Sequence, residues 1–375
     1  MQHRLSDDQV FFRDTTRRFL ESECPTATVR ELGQTGAGFD RSYWRQGAEL
    51  GWTSMLVAEQ FGGGTVSESG IADLTLIADA FGANVAPGPL LPTNVVAAAL
   101  SSSSNARAHE GLLEGLIAGE VVAAWAFVEA PPCDTFATTT RAVADGEGFV
   151  LSGVKTTVEA GAEADVLLVT ARSEAGMTQF VVPVGTPGVT VVPLDSLDLV
   201  RRYARVELEQ VSVPRSAVVG AIDHAAAAVE RQLQLALAIQ NAESVGAAQT
   251  VFDFTLDWAF NRYSFGRPLA SYQELKHRFA DMKMWLEASH ALADALVRDI
   301  DRDDEMAAET ASVTQAYIGE HLPALVQDCV QMHGGIGVTF DHDIHLYLRR
   351  VTVNRVAYGT PSDHRRRITD LRSAA

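Results

Sequence analysis

Apolar residues return at helical spacing in short blocks up to about residue 120, give way to short β-branched runs as far as Val213-Pro214, and then resume helical spacing in much longer blocks. The first block, residues 6–30, opens with Ser6 as an N-cap, Asp7 and Asp8 in the first turn, and Val10, Phe11, Phe19 and Leu20 as its apolar positions. Pro25 disturbs its later part. Further helices are predicted over residues 43–50, 68–82, 94–100 and 112–117, with a glycine turn at 61–64 and a loop enforced by Pro87, Pro89 and Pro92. Strands are predicted over 122–128, 148–151, 165–170, 178–184, 190–193 and 204–208, with Asp145-Gly146 as a turn. Helices follow over 225–259, 275–301 and 305–333, and a final set comes after Asp341. The pattern alone predicts an α+β protein with an all-β insert.

Size and charge narrow the function classes. A chain of 375 residues and 40.3 kDa fits two or three domains. A formal charge of -18 argues against non-specific nucleic-acid binding, which depends on neutralising phosphates. An anionic ligand stays compatible where arginines concentrate. Cys24, Cys133 and Cys329 lie far apart with no C-x-x-C pair, which argues against a disulfide framework or a structural zinc site. The start has no basic segment followed by an apolar run, and no window gives about 18 uncharged apolar residues. A cytoplasmic protein without a membrane span is the expectation.

Candidate chemistry concentrates in two stretches. Residues 331–350 break a helical pattern at Gly334, Gly335 and Gly337, where backbone can approach a flat or charged ligand without a Cβ in the way. An ordinary helix C-cap with a glycine tail gives the same signal. Some seventy residues upstream, RYSFGRP places Arg262 and Phe265 beside Gly266 and ahead of Gln273. Arginine at such a turn can clamp a diphosphate and the phenylalanine can cover an adenine; equally, Arg262 is solvated and Phe265 is core.

Together these stretches resemble the acyl-CoA dehydrogenase family, whose C-terminal domain carries R-x-x-F-G-(R/K)-x-(I/L)-x-x-x-Q followed by Q-x-x-G-G-x-G. The matching positions are Arg262, Phe265, Gly266, Arg267 and Gln273, then Gln331, Gly334, Gly335 and Gly337. The resemblance implies an N-terminal helical domain (1–120), a central small β-barrel-like domain (121–220) and a C-terminal four-helix bundle (221–375). It also implies that Arg262, Phe265, Gln273, Gln331, Gly334 and Gly335 bind the ADP half of FAD, held mainly by a neighbouring subunit.

Other family positions depart. The Glu of the Y-E-G-T motif, the usual base, is replaced by Tyr358, whose ordinary phenol pKa near 10 suits proton abstraction poorly. The alternative base position on the first long C-terminal helix falls at about Ala236. Glu243 lies two turns further on, since seven residues advance about 700° and leave an offset of roughly 20°. Its small and apolar neighbours suit a desolvated base, or Glu243 pairs with an arginine from another helix. Asp341 and Asp343 are further acidic candidates. In the β domain, Val128-Glu129-Ala130-Pro131-Pro132-Cys133-Asp134 stands where the family has T-E-P-x-x-G-S-D, and Thr157-Val158-Glu159 stands where a Trp and a hydroxyl cover the flavin. A carboxylate there opposes negative charge on reduced flavin.

The expected function is an acyl-CoA dehydrogenase-like subunit acting on an acyl-CoA thioester, with Glu243 as base and FAD as hydride acceptor. The alternative is a non-catalytic partner completing the FAD site of a homologous chain, as in heteromeric actinobacterial members of steroid and acyl-CoA degradation. A different flavin reaction in the same cavity is a third reading. Electron-transfer flavoprotein is the further expected partner. His333, His342 and His345 match no metal geometry, and the run from His364 to Arg367 suits a CoA phosphate, a partner's acidic face or a solvated helix.

Overall fold

A computed structural model describes residues 5–36, 38–129 and 137–374. Its helices are α1 (Asp7–Glu23), α2 (Thr26–Thr35), α3 (Arg41–Glu49), α4 (Gly70–Asn84), α5 (Leu90–Ser102), α6 (Glu110–Ile117), α7 (Ala226–Asn261), α8 (Gln273–Asp301), α9 (Ala307–His333), α10 (Ile344–Asn354) and α11 (Pro361–Ala374). The strands are β1 (Ala123–Ala126), β2 (Arg141–Asp145), β3 (Gly148–Glu159), β4 (Val166–Arg172), β5 (Met177–Pro183), β6 (Val189–Leu194), β7 (Tyr203–Pro214), β8 (Val218–Val219), β9 (Tyr263–Ser264) and β10 (Arg267–Pro268). Contacts gather the chain into two compact units, one of Met1–Arg30, Thr75–Ala86 and Leu237–Ala375, the other of Glu31–Leu74 and Pro87–Ala236.

Local chemistry explains the element ends. Ser6 caps α1 through a capping box in which Gln9 N donates to Ser6 Oγ and Ser6 N donates to Gln9 Oε1, each at 3.1 Å. Cys24 ends α1, and the Pro25 carbonyl accepts from the amides of Thr28 and Val29 as α2 begins. Asp40 caps α3 by accepting from the Ser42 and Tyr43 amides at 2.7 and 3.0 Å. Pro92 differs from expectation: it sits in the first turn of α5 instead of enforcing a loop, because that turn has no intrahelical use for its missing N–H.

In the β-rich unit, Trp44 and Trp52 are fully buried, and a Cβ at Gly47 would stand 2.1 Å from the Trp52 ring. The sheet runs β6-β7-β3-β2-β4-β5-β8, with β1 beside β4. It is open, which corrects the barrel-like expectation for the central domain. Closure would need β6 to pair with β8, but β8 has two residues and pairs with β5, while β6 pairs with β7. The middle is narrow as well: β2 meets β4 at the single parallel pair Arg141↔Arg172. Short β-branched runs specify strands, and the partner of each outer edge is a separate matter.

In the helical unit, α4 and α7 cross almost backbone to backbone. A Cβ at Gly82 would lie 1.8 Å from the Glu243 carbonyl, and one at Gly246 would lie 2.1 Å from that of Asp79. The small residues here serve close packing. Among the described residues, no helix is long and apolar enough to cross a membrane.

Candidate functional site

After α7 the chain makes a tight hairpin, β9 to β10, turned by Phe265 (φ 48°) and Gly266 (φ 81°). Positive φ at both central positions is what a two-residue hairpin of this hand requires, yet Phe265 has a Cβ and bears the strain. Its ring is 97% exposed, so it is not core. Arg267 lies over the Tyr272 ring at 3.9 Å, and Tyr272 Oη donates to the Ser264 carbonyl at 2.8 Å, so the hairpin is braced from below. Gln273 begins α8 and is exposed.

The glycine turn lies next to this hairpin within the same unit. Arg262 is exposed and sits 5.7 Å over the Trp258 ring, which stacks on His333 at 5.2 Å, and His333 ends α9 directly before Gly334. Gln331, Gly334 and Gly335 are exposed, Gly334 has φ 62°, and a Cβ at Gly334 or Gly335 would meet nothing within 4 Å. Gly337 differs: a Cβ there would press on the Val330 carbonyl at 2.5 Å, so it closes the turn instead of facing outward. Exposed Tyr263, Val338 and Phe340 add apolar area to the same elements. An open glycine backbone, an exposed guanidinium and a bare aromatic ring suit a diphosphate joined to a flat base.

The carboxylates are placed otherwise. Glu243 is 2% exposed; Arg350 Nη1 donates to its Oε1 at 2.6 Å and Asn354 Nδ2 to its Oε2 at 3.0 Å. Arg350 also donates to the Ala86 carbonyl at 3.3 Å, and Asn354 to Ser244 Oγ at 3.0 Å. Both carboxylate oxygens are therefore engaged by α10, which is the ion-pair reading of this residue. Asp343 accepts from Thr26 at 2.8 Å and pairs with Arg30 at 2.6 Å, while Asp341 is exposed. Tyr358 is buried with φ 57°, and Ala236 is fully buried.

Of the C-terminal basic run, His364 is fully buried with Nε2 at 3.1 Å from the Tyr358 carbonyl, and Arg367 donates to Ser312 Oγ at 2.6 Å. Arg365 pairs with Glu320 and Arg366 with Asp363. Burial, with the Arg367 charge beside it, pushes the His364 imidazole down to about 4. Among the described residues no group of three or more His, Cys, Asp or Glu could hold a metal.

Within the β-rich unit the flavin-facing positions named above turn inward. Glu129 accepts from Lys155 Nζ at 2.7 Å, Thr138 Oγ1 at 2.6 Å, the Thr139 amide at 2.7 Å and Thr140 Oγ1 at 2.7 Å. Burial alone would raise its pKa, but Lys155 and the hydroxyls hold it well below the usual carboxylate range. Residues 130–134 of the segment that follows lie outside the described residues. Beyond Thr157 (φ 47°), buried Glu159 meets Arg201 Nε at 3.3 Å, and the adjoining cavity is only about 10 Å³. The Thr138-Thr139-Thr140 run was the available sequence signal for the Glu129 cage; Arg201, Arg350 and Asn354 carried none.

These features define an α+β protein with an exposed arginine, aromatic and glycine surface on its helices and buried ion pairs in its sheet. The chain belongs to the acyl-CoA dehydrogenase family: it matches that family's N-terminal domain over residues 6–120, its middle domain over 133–211 and its C-terminal domain over 224–370. It is 26% identical to the acyl-CoA dehydrogenase IpdE2 of Mycolicibacterium smegmatis, over 97% of this chain and 98% of that protein. A variant of the Tcur3481-Tcur3483 steroid ACAD shares 26% identity at a TM-score of 0.89, covering 98% of each chain. Two further solved structures share the fold. The ChsE4-ChsE5 complex of Mycobacterium tuberculosis has 24% identity and a TM-score of 0.90 over 100% of each chain. A glutaryl-coa dehydrogenase of M. smegmatis in complex with FADH2 has 21% identity and a TM-score of 0.89, over 99% of this chain and 96% of that one.

Proposed function

We propose that this chain is a subunit of an FAD-dependent acyl-CoA dehydrogenase, and that it completes the flavin site of a homologous chain without supplying the base for proton removal. The observation that carries this reading is the Glu159–Arg201 pair, which stands where the family covers the flavin ring and adjoins a cavity of about 10 Å³. A buried carboxylate facing a guanidinium beside so small a cavity leaves little room there for a flavin ring. The helical unit supports the other half of the proposal, because Arg262, Phe265, Gln273, Gln331, Gly334 and Gly335 are all exposed.

In this reading Arg262 and the open amides of the glycine turn hold the diphosphate, and Phe265 covers the adenine. Bound FAD supplies the hydride acceptor for α,β-dehydrogenation of an acyl-CoA thioester to the 2-enoyl-CoA. The residues of this chain orient the dinucleotide tail and exclude water from it. Electron-transfer flavoprotein is the proposed oxidant of the reduced complex. The ChsE4-ChsE5 complex is a family precedent for two different chains in one assembly. Expression of the chain alone is expected to give colourless protein, and co-expression with its homologous partner a yellow complex. A yellow, stoichiometrically loaded homo-oligomer would defeat the proposal.

The rival assignment makes Glu243 the base of this same chain. It requires the carboxylate to exchange Arg350 and Asn354 for a substrate C–H. Glu243→Gln in the flavin-replete complex is expected to leave turnover within about twofold, since transition-state losses for a true general base run to about 10²–10⁴-fold. A loss of that size would restore Glu243 as the base.

A further inference from the structure

Two histidine rings close the glycine segment of the helical unit. His333 ends α9 and His342 precedes α10, and their ring centroids stand 4.5 Å apart across residues 334–341. From α7, Trp258 stacks on His333 at 5.2 Å, and the Phe254 ring lies 5.6 Å from each of the two imidazoles. His342 also serves the start of α10. The amide of Ile344, the first residue of that helix, donates to His342 Nδ1 at 3.1 Å. Asp343 stands at the N-cap but makes no side-chain cap, because its carboxylate faces α2 and accepts from Thr26 Oγ1 at 2.8 Å and from Arg30 at 2.6 Å. An amide can only donate, so Nδ1 of His342 carries a lone pair and the ring is neutral.

We propose that this cluster is a proton-operated latch: protonation of His342 removes the acceptor for the Ile344 amide and releases the glycine segment from α9 and α10. An imidazolium has two donors and no lone pair, so its Nδ1–H would point at another N–H. Its charge would also stand at the positive end of α10. Arg30 of α2 and Arg349 of α10 add positive charge around the cluster, and Asp343 opposes them. Asp341 is exposed, and Tyr347 Oη donates to the Ala83 carbonyl at 3.0 Å. Both ring nitrogens of His345 are buried without a hydrogen-bond partner among the described residues, so a proton gained there is a buried charge with nothing to match it. His333 donates from Nδ1 to the Cys329 carbonyl at 2.9 Å, which leaves Nε2 as its basic nitrogen, facing a second imidazole. Burial pushes all three rings down. The closed segment thus takes up protons less readily than the released one, so the latch holds above about pH 6.5 and weakens as pH falls below it. The latch belongs to this chain alone; its effect on a bound dinucleotide rests on the function proposed above.

Hydrogen exchange of the full chain, followed by mass spectrometry between about pH 7.5 and about pH 5.5 and corrected for the chemical exchange rate, tests the latch. Opening of residues 334–344 is expected to rise about tenfold per pH unit below about pH 6.5 for each proton taken up, while the amides of 310–330 in α9 stay protected. His342→Asn keeps an acceptor for the Ile344 amide and cannot titrate, so it is expected to make this rise about tenfold per pH unit shallower. His342→Lys supplies a fixed charge and no acceptor, and is expected to open the segment about fivefold at neutral pH, the size of a lost cap. In the two-chain complex, flavin is expected to leave the wild type faster below about pH 6.5 than it leaves His342→Asn. Exchange that follows this pattern with flavin release unchanged would keep the latch and remove the glycine turn from the flavin site. A segment whose opening ignores pH, His342→Asn opening as steeply as the wild type, or protection lost evenly over the whole helical unit would overturn the proposal.

Discussion

Arg262 and Arg201 show one side chain in two opposite settings. Arg262 stands on an exposed surface over Trp258, beside an aromatic residue held in a strained turn and glycines whose missing side chains leave open space. Arg201 is buried with Glu159, in a part of the sheet where little cavity remains. Burial of a charge is tolerated where a partner matches it, so the sheet's buried pairs, Glu129–Lys155 and Glu159–Arg201, are bound up in holding the fold. Strain and exposed aromatic surface persist where a ligand or another chain makes use of them. The contrast separates the residues that build this chain from those available to something else.

The comparison breaks first at the buried pairs. Arg350→Met leaves Glu243 without its main partner, and Lys155→Met does the same to Glu129; each is expected to lower unfolding free energy by about 3–5 kcal/mol in urea titrations. A loss below about 1 kcal/mol in either would mean that these pairs do not hold the fold.

A smaller effect comes from pH. The folded pKa of His364, about 4, lies below the ordinary value, so between them the unfolded chain binds more protons than the folded one. Its contribution to stability is complete above about pH 6.5 and declines as pH falls toward 4, by up to about 3 kcal/mol. His364→Gln flattens this slope in melts taken at successive pH values, without abolishing it, because burial also pushes His333, His342 and His345 down. An unchanged slope would remove His364 from the account.

The smallest effect sharpens the contrast most. Asn tolerates positive φ better than Phe, so Phe265→Asn is expected to leave the isolated chain as stable or to stabilise it by about 1 kcal/mol. The same change lowers flavin retention by the complex, read from its visible absorbance during dialysis. Loss of stability with full flavin retention would make the hairpin a structural element only.

Much of this was legible in the sequence because it depends on local chemistry. Ser6 and the acids after it announced α1, Asp145-Gly146 announced the turn before β3, and RYSFGRP announced a turn. The long helices α7, α8 and α9 were readable from period alone. What stayed hidden depends on partners distant in the chain. Glu243 and Arg350 are separated by 107 positions, and Glu129 and Lys155 by 26, and no periodicity links them. β2 was missed because one position of its five, Ala142, is buried, so its sequence lacks the alternation of a half-covered strand. Whether the sheet closes was hidden for a related reason, since that depends on which edges meet.

The central claim is that this chain supplies a dinucleotide-facing surface while its own ring-facing position is filled. Quantifying released flavin against the protein content of the purified two-chain complex tests it most directly. The account predicts one flavin for each pair of chains, lost together with Arg262 and Phe265 of this chain. One flavin for every chain, retained when both residues are changed to alanine, would contradict it.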